Sequence, residues 1–128
     1  MDQEETKEIC VNFLEKNFTF LNPKKMIDPL WRFTSDIMNS WKISKEEKGF
    51  RINFLLHVAG MLERVLLEQP LTGTEEEEQA VLSSEGYDQL HVHVLSLGRT
   101  LNLMIPLIEE YYLLAMINRQ LVRNTQKK

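Results

Sequence analysis

The chain lacks the sequence features on which most catalytic and metal-binding sites depend. It contains a single cysteine, Cys10, in 128 residues, so it cannot form an internal disulfide. It has no glycine-rich phosphate loop, no paired-cysteine metal motif and no G-x-S-x-G nucleophile elbow. These absences argue against an enzyme and against a bound cofactor or metal, and we expect none of the three. Cys10 falls in an apolar stripe, where we expect it to be a small buried side chain.

Long apolar runs and an excess of basic residues are also missing. No stretch of about 18 or more apolar residues occurs, and the first residues, MDQEETKE, are polar and acidic, unlike a signal peptide. The formal net charge is −4, whereas a free-standing nucleic-acid binder usually carries a basic face. We therefore expect a cytoplasmic protein that contacts neither a membrane nor, directly, a nucleic acid.

The apolar residues predict helices along the whole chain. They recur at the spacing of a helix in four segments, and no alternating apolar run bounded by turn residues indicates a strand. At 128 residues and 43% hydrophobic composition, the chain is long enough for one core and short for two. We predict an all-α fold, an antiparallel bundle of four to five helices forming a single domain over residues 1–128.

A long central helix organises the prediction. We expect it to run from Ser44 to Gln69, with Ser44 as N-cap, Glu47 as the partner in a capping box, and Pro70 preventing continuation. Its apolar residues cover an arc wider than half of the helix. Such an arc predicts packing on several sides, including against a second copy of the chain.

Local signals also suggest the other boundaries. The first helix is expected from about Gln3 to Phe18, with Asp2 as a possible cap. Two cap-plus-proline pairs precede the second helix, and we favour a start at Asp28 over a helix kinked at Pro29.

The acidic segment is the part of the chain that looks least ordered. We expect a mobile connection at about 71–83, although Thr74 and Glu77 could instead cap a short helix. Helices are then predicted from Tyr87 and from Ile105-Pro106 onward, with a frayed tail at 124–128.

His57 lies on a narrow polar strip of the central helix, away from its apolar arc. At about 100° per residue, Asn53 and Arg64 share this strip, and Gly60 lies beside them. The strip is either a solvated helix surface that carries a histidine, or a phosphate-accepting site. In the second case Gly60 leaves space and Arg64 offers bidentate contact to phosphate. The residues alone leave both interpretations open.

Three segments, in order, resemble one known family. LLHVAGMLERVL is similar to the segment around the phosphorylatable histidine of the PTS regulation domain, a module controlled by the bacterial sugar phosphotransferase system. The likeness is to the version near the C-terminus of sigma-54-dependent activators of sugar operons. FLEKNFTFLNPKK (Phe13 to Lys25) and IPLIEEYYLLAMI (Ile105 to Ile117) resemble the opening and closing segments of that version.

The resemblance implies a regulatory function. His57 would accept a phosphoryl group from HPr or from an enzyme IIB component, and Arg64 would support it. A second phosphorylatable histidine is frequent in the family, and His91 and His93 are the candidates for it here. Members are typically all-helical and dimeric, so we expect a homodimer. We interpret the chain as an excised or separately made regulatory domain of a transcription activator.

Two other functions are compatible with the same residues. A two-component phosphotransfer domain also presents a histidine on a helical bundle, but it should have a lysine-glycine pair just after the acceptor. His57 is followed instead by Val-Ala-Gly-Met. The third possibility is a structural dimerisation module without chemistry.

Overall fold

Six α-helices make up the regular structure of residues 3–18 and 22–126, the parts described by the computed structural model, and these parts contain no strand. The helices are α1 (Gln3–Asn17), α2 (Pro23–Ser40), α3 (Lys48–Leu66), α4 (Glu75–Leu82), α5 (Tyr87–Leu101) and α6 (Leu107–Gln126). The predicted all-α class is confirmed, with one helix more than the expected maximum. None of these helices has the length and apolar character needed to cross a membrane.

The helices fall into two compact units. The first unit, Met1–Gln69, contains α1, α2 and α3, each in contact with the other two. The second unit, Pro70–Lys128, contains α4, α5 and α6, which also contact one another. Each unit is thus a three-helix arrangement with its own buried side chains. That the whole chain behaves as one domain stays a prediction.

The core of the first unit is centred on Phe54 of α3. Its side chain is fully buried, and its ring stacks on Phe33 and Phe50 with centroid distances of 6.0 and 5.2 Å. Leucines and other aliphatic residues complete the core: Leu14, Leu30, Ile37, Met38, Leu55, Val58, Ala59, Met61 and Leu62. The apolar stripes predicted for α2 and α3 supply most of this packing.

Helix α2 begins at Pro23, so the expected start at Asp28 is wrong. The side-chain oxygen of Asn22 accepts the N–H groups of Lys24 and Lys25 at 3.1 and 3.4 Å and caps the helix, with Pro23 in its first turn. Pro29 then lies inside the helix. Burial of α2 side chains before and after Pro29 compensates for the one backbone hydrogen bond that proline removes.

Helix α3 begins at Lys48, three residues later than a cap at Ser44 would place its start. The Ser44 hydroxyl accepts the N–H of Glu46 at 3.2 Å, and the N–H of Glu47 donates to the Ser44 carbonyl at 3.0 Å. These bonds close a turn and use the groups that a capping box would need. Glu47 is the N-cap, and its side chain makes no hydrogen bond that caps the helix. The helix ends at Leu66, before the predicted stop at Pro70.

Three helices end in the same left-handed turn. The residue with positive φ is Lys42 (58°), Glu68 (57°) or Asn102 (56°). In each case the next N–H donates back to the first carbonyl of the turn at 2.8 Å: Ile43 to Met38, Gln69 to Arg64, and Leu103 to Gly98. This is the Schellman arrangement, which satisfies helix carbonyls that would otherwise lack a donor.

Replacing Lys42 with glycine is expected to stabilise the protein. A residue with a Cβ pays about 1 kcal/mol or more in the left-handed region, and glycine does not. We expect Lys42→Gly to raise the free energy of unfolding by about 1 kcal/mol in urea denaturation. The matched control is Lys45→Gly, also at an exposed turn lysine, but without positive φ. It should be neutral or destabilising, and an equal gain from both changes would contradict the explanation.

The acidic segment is a helix, so the prediction of a mobile connection is wrong for Glu75–Leu82. The Thr74 hydroxyl accepts the N–H of Glu77 at 3.2 Å, and the Glu77 carboxylate accepts the N–H of Thr74 at 3.0 Å. Hydrogen bonding from the Thr74 backbone N–H, and then from the Thr74 side chain, lowers the pKa of the Glu77 carboxyl. Four glutamates lie in the first turn, where the helix dipole favours negative charge, and buried Val81 holds the helix against its unit.

The predictions for the two ends of the chain can be compared with the structure. Helix α6 continues to Gln126, so residues 124–126 of the expected frayed tail are helical, and residues 127–128 lie outside the described part. The proposed cap Asp2 also lies outside it. Helix α1 ends at Asn17, close to the expected Phe18.

Cys10 is fully buried, as the sequence predicted, and should react slowly. Burial raises the pKa of its thiol to about 11, with the charge of Arg51 opposing the shift. At about pH 8 the reactive thiolate is therefore roughly a hundredfold scarcer than at an ordinary cysteine. We expect iodoacetamide to label the native protein at least that much more slowly than the urea-unfolded protein, as followed by mass spectrometry. Equal rates in the two states would contradict a buried Cys10.

Candidate functional site

Helix α3 presents its polar strip on the outside of the first unit. Asn53 and His57 are exposed, and Gly60 and Arg64 are partly buried. These four positions fall within an arc of about 60° at 100° per residue. The opposite side of the helix is buried in the unit's core. The structure thus brings all four predicted site residues together on one side of α3, with the imidazole accessible to a partner protein.

The guanidinium of Arg64 lies over Gly60, one turn back along the helix. Its Nη1 atom is 3.6 Å from the position that a Cβ of residue 60 would occupy. The ring of Phe18, just after α1, comes within 3.9 Å of the same position. The space expected above Gly60 is therefore filled by Arg64 itself. Because His57 lies one turn beyond Gly60, the positive charge is directed towards the imidazole end of the strip.

His91 and His93 belong to the second unit and differ in their surroundings. His91 Nδ1 lies 2.8 Å from Glu110 Oε1, and its ring stacks on Tyr87 with centroids 5.1 Å apart. His93 is partly buried on the same helix, two residues on, and therefore points in another direction. The structure does not join the two in one site. Within the described residues no group of three or more His, Cys, Asp or Glu side chains could hold a metal ion.

Glu110 is the buried partner that fixes His91. Only 1% of its side chain is exposed. Burial raises the pKa of the Glu110 carboxyl, while the hydrogen bond and charge of His91 act in the opposite direction. Burial also raises the pKa of Tyr87, helped by the negative charge of Glu110. The three side chains form a polar cluster between α5 and α6.

The sequence interpretation missed this cluster, which joins residues 19 positions apart on two different helices. Glu109 is as buried as Glu110, and its Oε2 accepts the N–H of Leu71 at 3.0 Å. The two tyrosines of α6, Tyr111 and Tyr112, are about half exposed and lie outside its core side. Its core residues are Ile108, Leu113, Leu114 and Ile117. The sequence did contain a signal of the burial of the two glutamates. Glu109 and Glu110 each precede one of these leucines by four residues, and residues four apart lie on the same face of a helix.

Arg51 is a second residue that the sequence interpretation missed. Its side chain is buried, its Nη1 donates to Ser35 Oγ at 2.8 Å, and its guanidinium carbon lies 4.4 Å from the centroid of the Trp31 ring. Its Nε has no hydrogen-bond partner, and burial lowers its pKa. Residue 51 falls in the middle of the apolar arc of α3, between the directions of Val58 and Leu62. A charged residue within an apolar arc was the feature of the sequence that could have indicated a buried arginine.

Comparison with known proteins gives no family for this chain. No protein-family model matches it, and searches of curated proteins and of solved structures find no match. The resemblance to PTS regulation domains therefore depends on the three sequence segments and on the arrangement of His57, Gly60 and Arg64 on α3.

Proposed function

We propose that the chain is a PTS regulation domain of the kind found near the C-terminus of sigma-54-dependent activators, and that His57 is its phosphorylation site. The observation that carries the proposal is the exposed His57 imidazole on α3, in line with an arginine folded back over Gly60. A donor protein can reach such a histidine without unfolding the helix. The order of the three resembling segments supports the same function.

A phosphoryl group on His57 would change the electrostatics of the strip. It adds negative charge and strong acceptor oxygens, and the Arg64 guanidinium can donate two hydrogen bonds to such an anion. At about 1.5–3 kcal/mol each, two bonds made in only one arrangement of the protein bias it by about 3–6 kcal/mol. About 5.5 kcal/mol reverses a 1:99 population. The exposed amide of Asn53, one turn before His57, is a further donor.

The proposal includes the partners that the resemblance implies. Phosphorylated HPr or an enzyme IIB component of the phosphotransferase system is the donor, and the domain acts in the cytoplasm as part of a transcription activator without contacting nucleic acid itself. A homodimer is part of the same proposal. It is supported by the large apolar side chains that remain exposed, among them Leu66, Leu82, Val92 and Val122.

Separate incubations with three phosphorylated donors test the function. The purified chain is mixed with phosphorylated HPr, enzyme IIB or a response regulator, and the modified peptide is mapped by mass spectrometry under conditions that preserve phosphohistidine. We expect label on His57 from HPr or enzyme IIB and none from the response regulator. Label from the response regulator alone would favour the two-component alternative. If none of the three donors labels the chain, the structural dimerisation module would be the remaining interpretation.

A further inference from the structure

A cleft of about 470 Å³ runs along α5 and the turn after it, within the second unit. Its size is in the range of small-molecule sites, about 300–1,000 Å³. We call it the α5 cleft, and its lining residues are His91, Val94, Leu95, Gly98, Arg99, Asn102, Leu103, Met104 and Ile105. Nothing in the proposed phosphorylation of His57 uses it.

The charges that line the α5 cleft are of one sign. The two lining side chains that can carry charge, His91 and Arg99, are both basic, and Asn102 adds an amide. No carboxylate is among the lining residues, although the chain as a whole has a formal charge of −4. Glu110, the carboxylate bound to His91, is not part of the lining. The cleft is thus complementary to an anion.

His91 is held ready to donate to such an anion. Its Nδ1 is engaged by Glu110 at 2.8 Å, so Nε2 is the ring nitrogen that remains for a ligand. Stacking on Tyr87 fixes the plane of the ring. A neutral ring that donates from Nδ1 to the carboxylate leaves Nε2 as an acceptor, so an anion binds the arrangements in which Nε2 carries a proton: carboxylate with imidazolium, or carboxylic acid with neutral imidazole. These two arrangements have the same net charge, and in both the Nε2–H can bind an anion.

The remaining wall of the α5 cleft is apolar and exposed. Met104 is 88% exposed, and Leu95 is also among the exposed large apolar residues. The wall is formed where the chain turns back over α5 at Asn102. There the Leu103 carbonyl lies only 2.7 Å from the place of a Cβ at Gly98, so the close approach requires glycine. A flexible methionine at the mouth of a cleft can adapt to an apolar ligand.

We propose that the α5 cleft binds a small organic anion with an apolar tail. The anionic group accepts a hydrogen bond from His91 Nε2, and the tail lies along Leu95 and Met104. Carboxylates and phosphate monoesters share the required chemistry. Glu110 acts as a positioning residue, because it holds the ring without touching the ligand.

Four simple probes separate the head group from the tail. The full chain, labelled with nitrogen-15, is titrated with hexanoate, hexyl phosphate, hexanol and inorganic phosphate, and amide shifts are followed by NMR. We expect hexanoate or hexyl phosphate to shift the amides of Leu95, Gly98 and Met104, and to bind at least about tenfold more tightly than hexanol or inorganic phosphate. The tighter of the two identifies the head group. Hexanol binding as tightly as either anion, or no saturable binding by any probe, would overturn the proposal.

Variants of the α5 cleft distinguish binding from folding. His91→Gln should weaken the better probe by about tenfold to a hundredfold, because it removes a charge-assisted donor. His93→Gln is the matched control and should leave affinity unchanged, since His93 does not line the cleft. Met104→Ser, at an almost fully exposed position, should weaken binding without affecting the fold. Equal weakening by the His91 and His93 variants would contradict the site.

A separate NMR measurement tests the role of Glu110 as a positioning residue. Glu110→Gln keeps the size of the side chain and removes its acid group, so the two ring nitrogens of His91 should change their nitrogen-15 shifts as the proton distribution changes. Affinity for the anionic probe should fall in the same variant. Unchanged His91 ring shifts with unchanged affinity would rule out positioning by Glu110.

Discussion

Replacing His57 with alanine is expected to abolish phosphorylation by the donor that labels the native chain. In the proposed function the imidazole is the group that forms the phosphorus–nitrogen bond, so its removal would leave no acceptor on α3. Because His57 is exposed and alanine is a good helix former, the substitution should leave helicity and unfolding free energy nearly unchanged. The measurement is intact-protein mass spectrometry at neutral or mildly basic pH, with circular dichroism on the same sample.

The control for this prediction is His93→Ala, which also removes one histidine from a helix. It should keep the full label. Persistence of label in His57→Ala would contradict the assignment. Peptide mapping would then decide between His91 and His93 as the acceptor.

The helices themselves could be predicted because their apolar residues recur with the period of a helix. In α3, one arc contains Phe54, Leu55, Val58 and Leu62, and all four are buried. The same period placed His57 on the exposed side. A site whose residues all lie on one helix is accessible to this reasoning, since the spacing along the chain determines the direction of each side chain.

Helix ends were harder to predict, because the same capping-box sequence pattern occurs twice in this chain and forms a capping box only once. Ser44 and Glu47 match the capping-box pattern as well as Thr74 and Glu77 do. The threonine pair forms the box, but the Ser44 groups bond instead to Glu46 and Glu47 in a turn. Local sequence does not decide between these bonds. Which one forms depends on where the following residues are buried.

The polar cluster of the second unit could not be predicted from the sequence, for a different reason. His91 and Glu110 are 19 residues apart on separate helices, and their contact depends on how α5 packs on α6. The sequence suggested His91 as a possible second phosphorylation site, and Glu110 only as part of a segment that resembles a known family. Neither assignment brings the two together. Burial of a carboxyl next to a histidine becomes visible only when the packed helices are known.

The largest stability effect is expected from Phe54→Ala. Phe54 is fully buried and stacks between Phe33 and Phe50, so alanine removes the transfer free energy of the ring and leaves a cavity. Such changes cost about 3–5 kcal/mol, a large part of the roughly 5–15 kcal/mol that stabilises a typical domain. Urea denaturation followed by circular dichroism measures the loss, and hydrogen exchange at the amides of α1–α3 locates it in the first unit.

Phe13→Ala is the matched control, because it makes the same change in the same unit at a side chain that is 43% exposed. Its cost should be clearly smaller, since less apolar area returns to water and no enclosed cavity forms. Equal losses would contradict the burial difference on which the core assignment depends.

Phe54 and His57 are only three residues apart on α3, yet their alanine variants should behave oppositely. The Phe54 variant should lose stability and keep the proposed acceptor imidazole, whereas the His57 variant should lose the imidazole and keep its stability. A His57→Ala variant as unstable as Phe54→Ala would show that the imidazole is part of the core and unavailable to a donor.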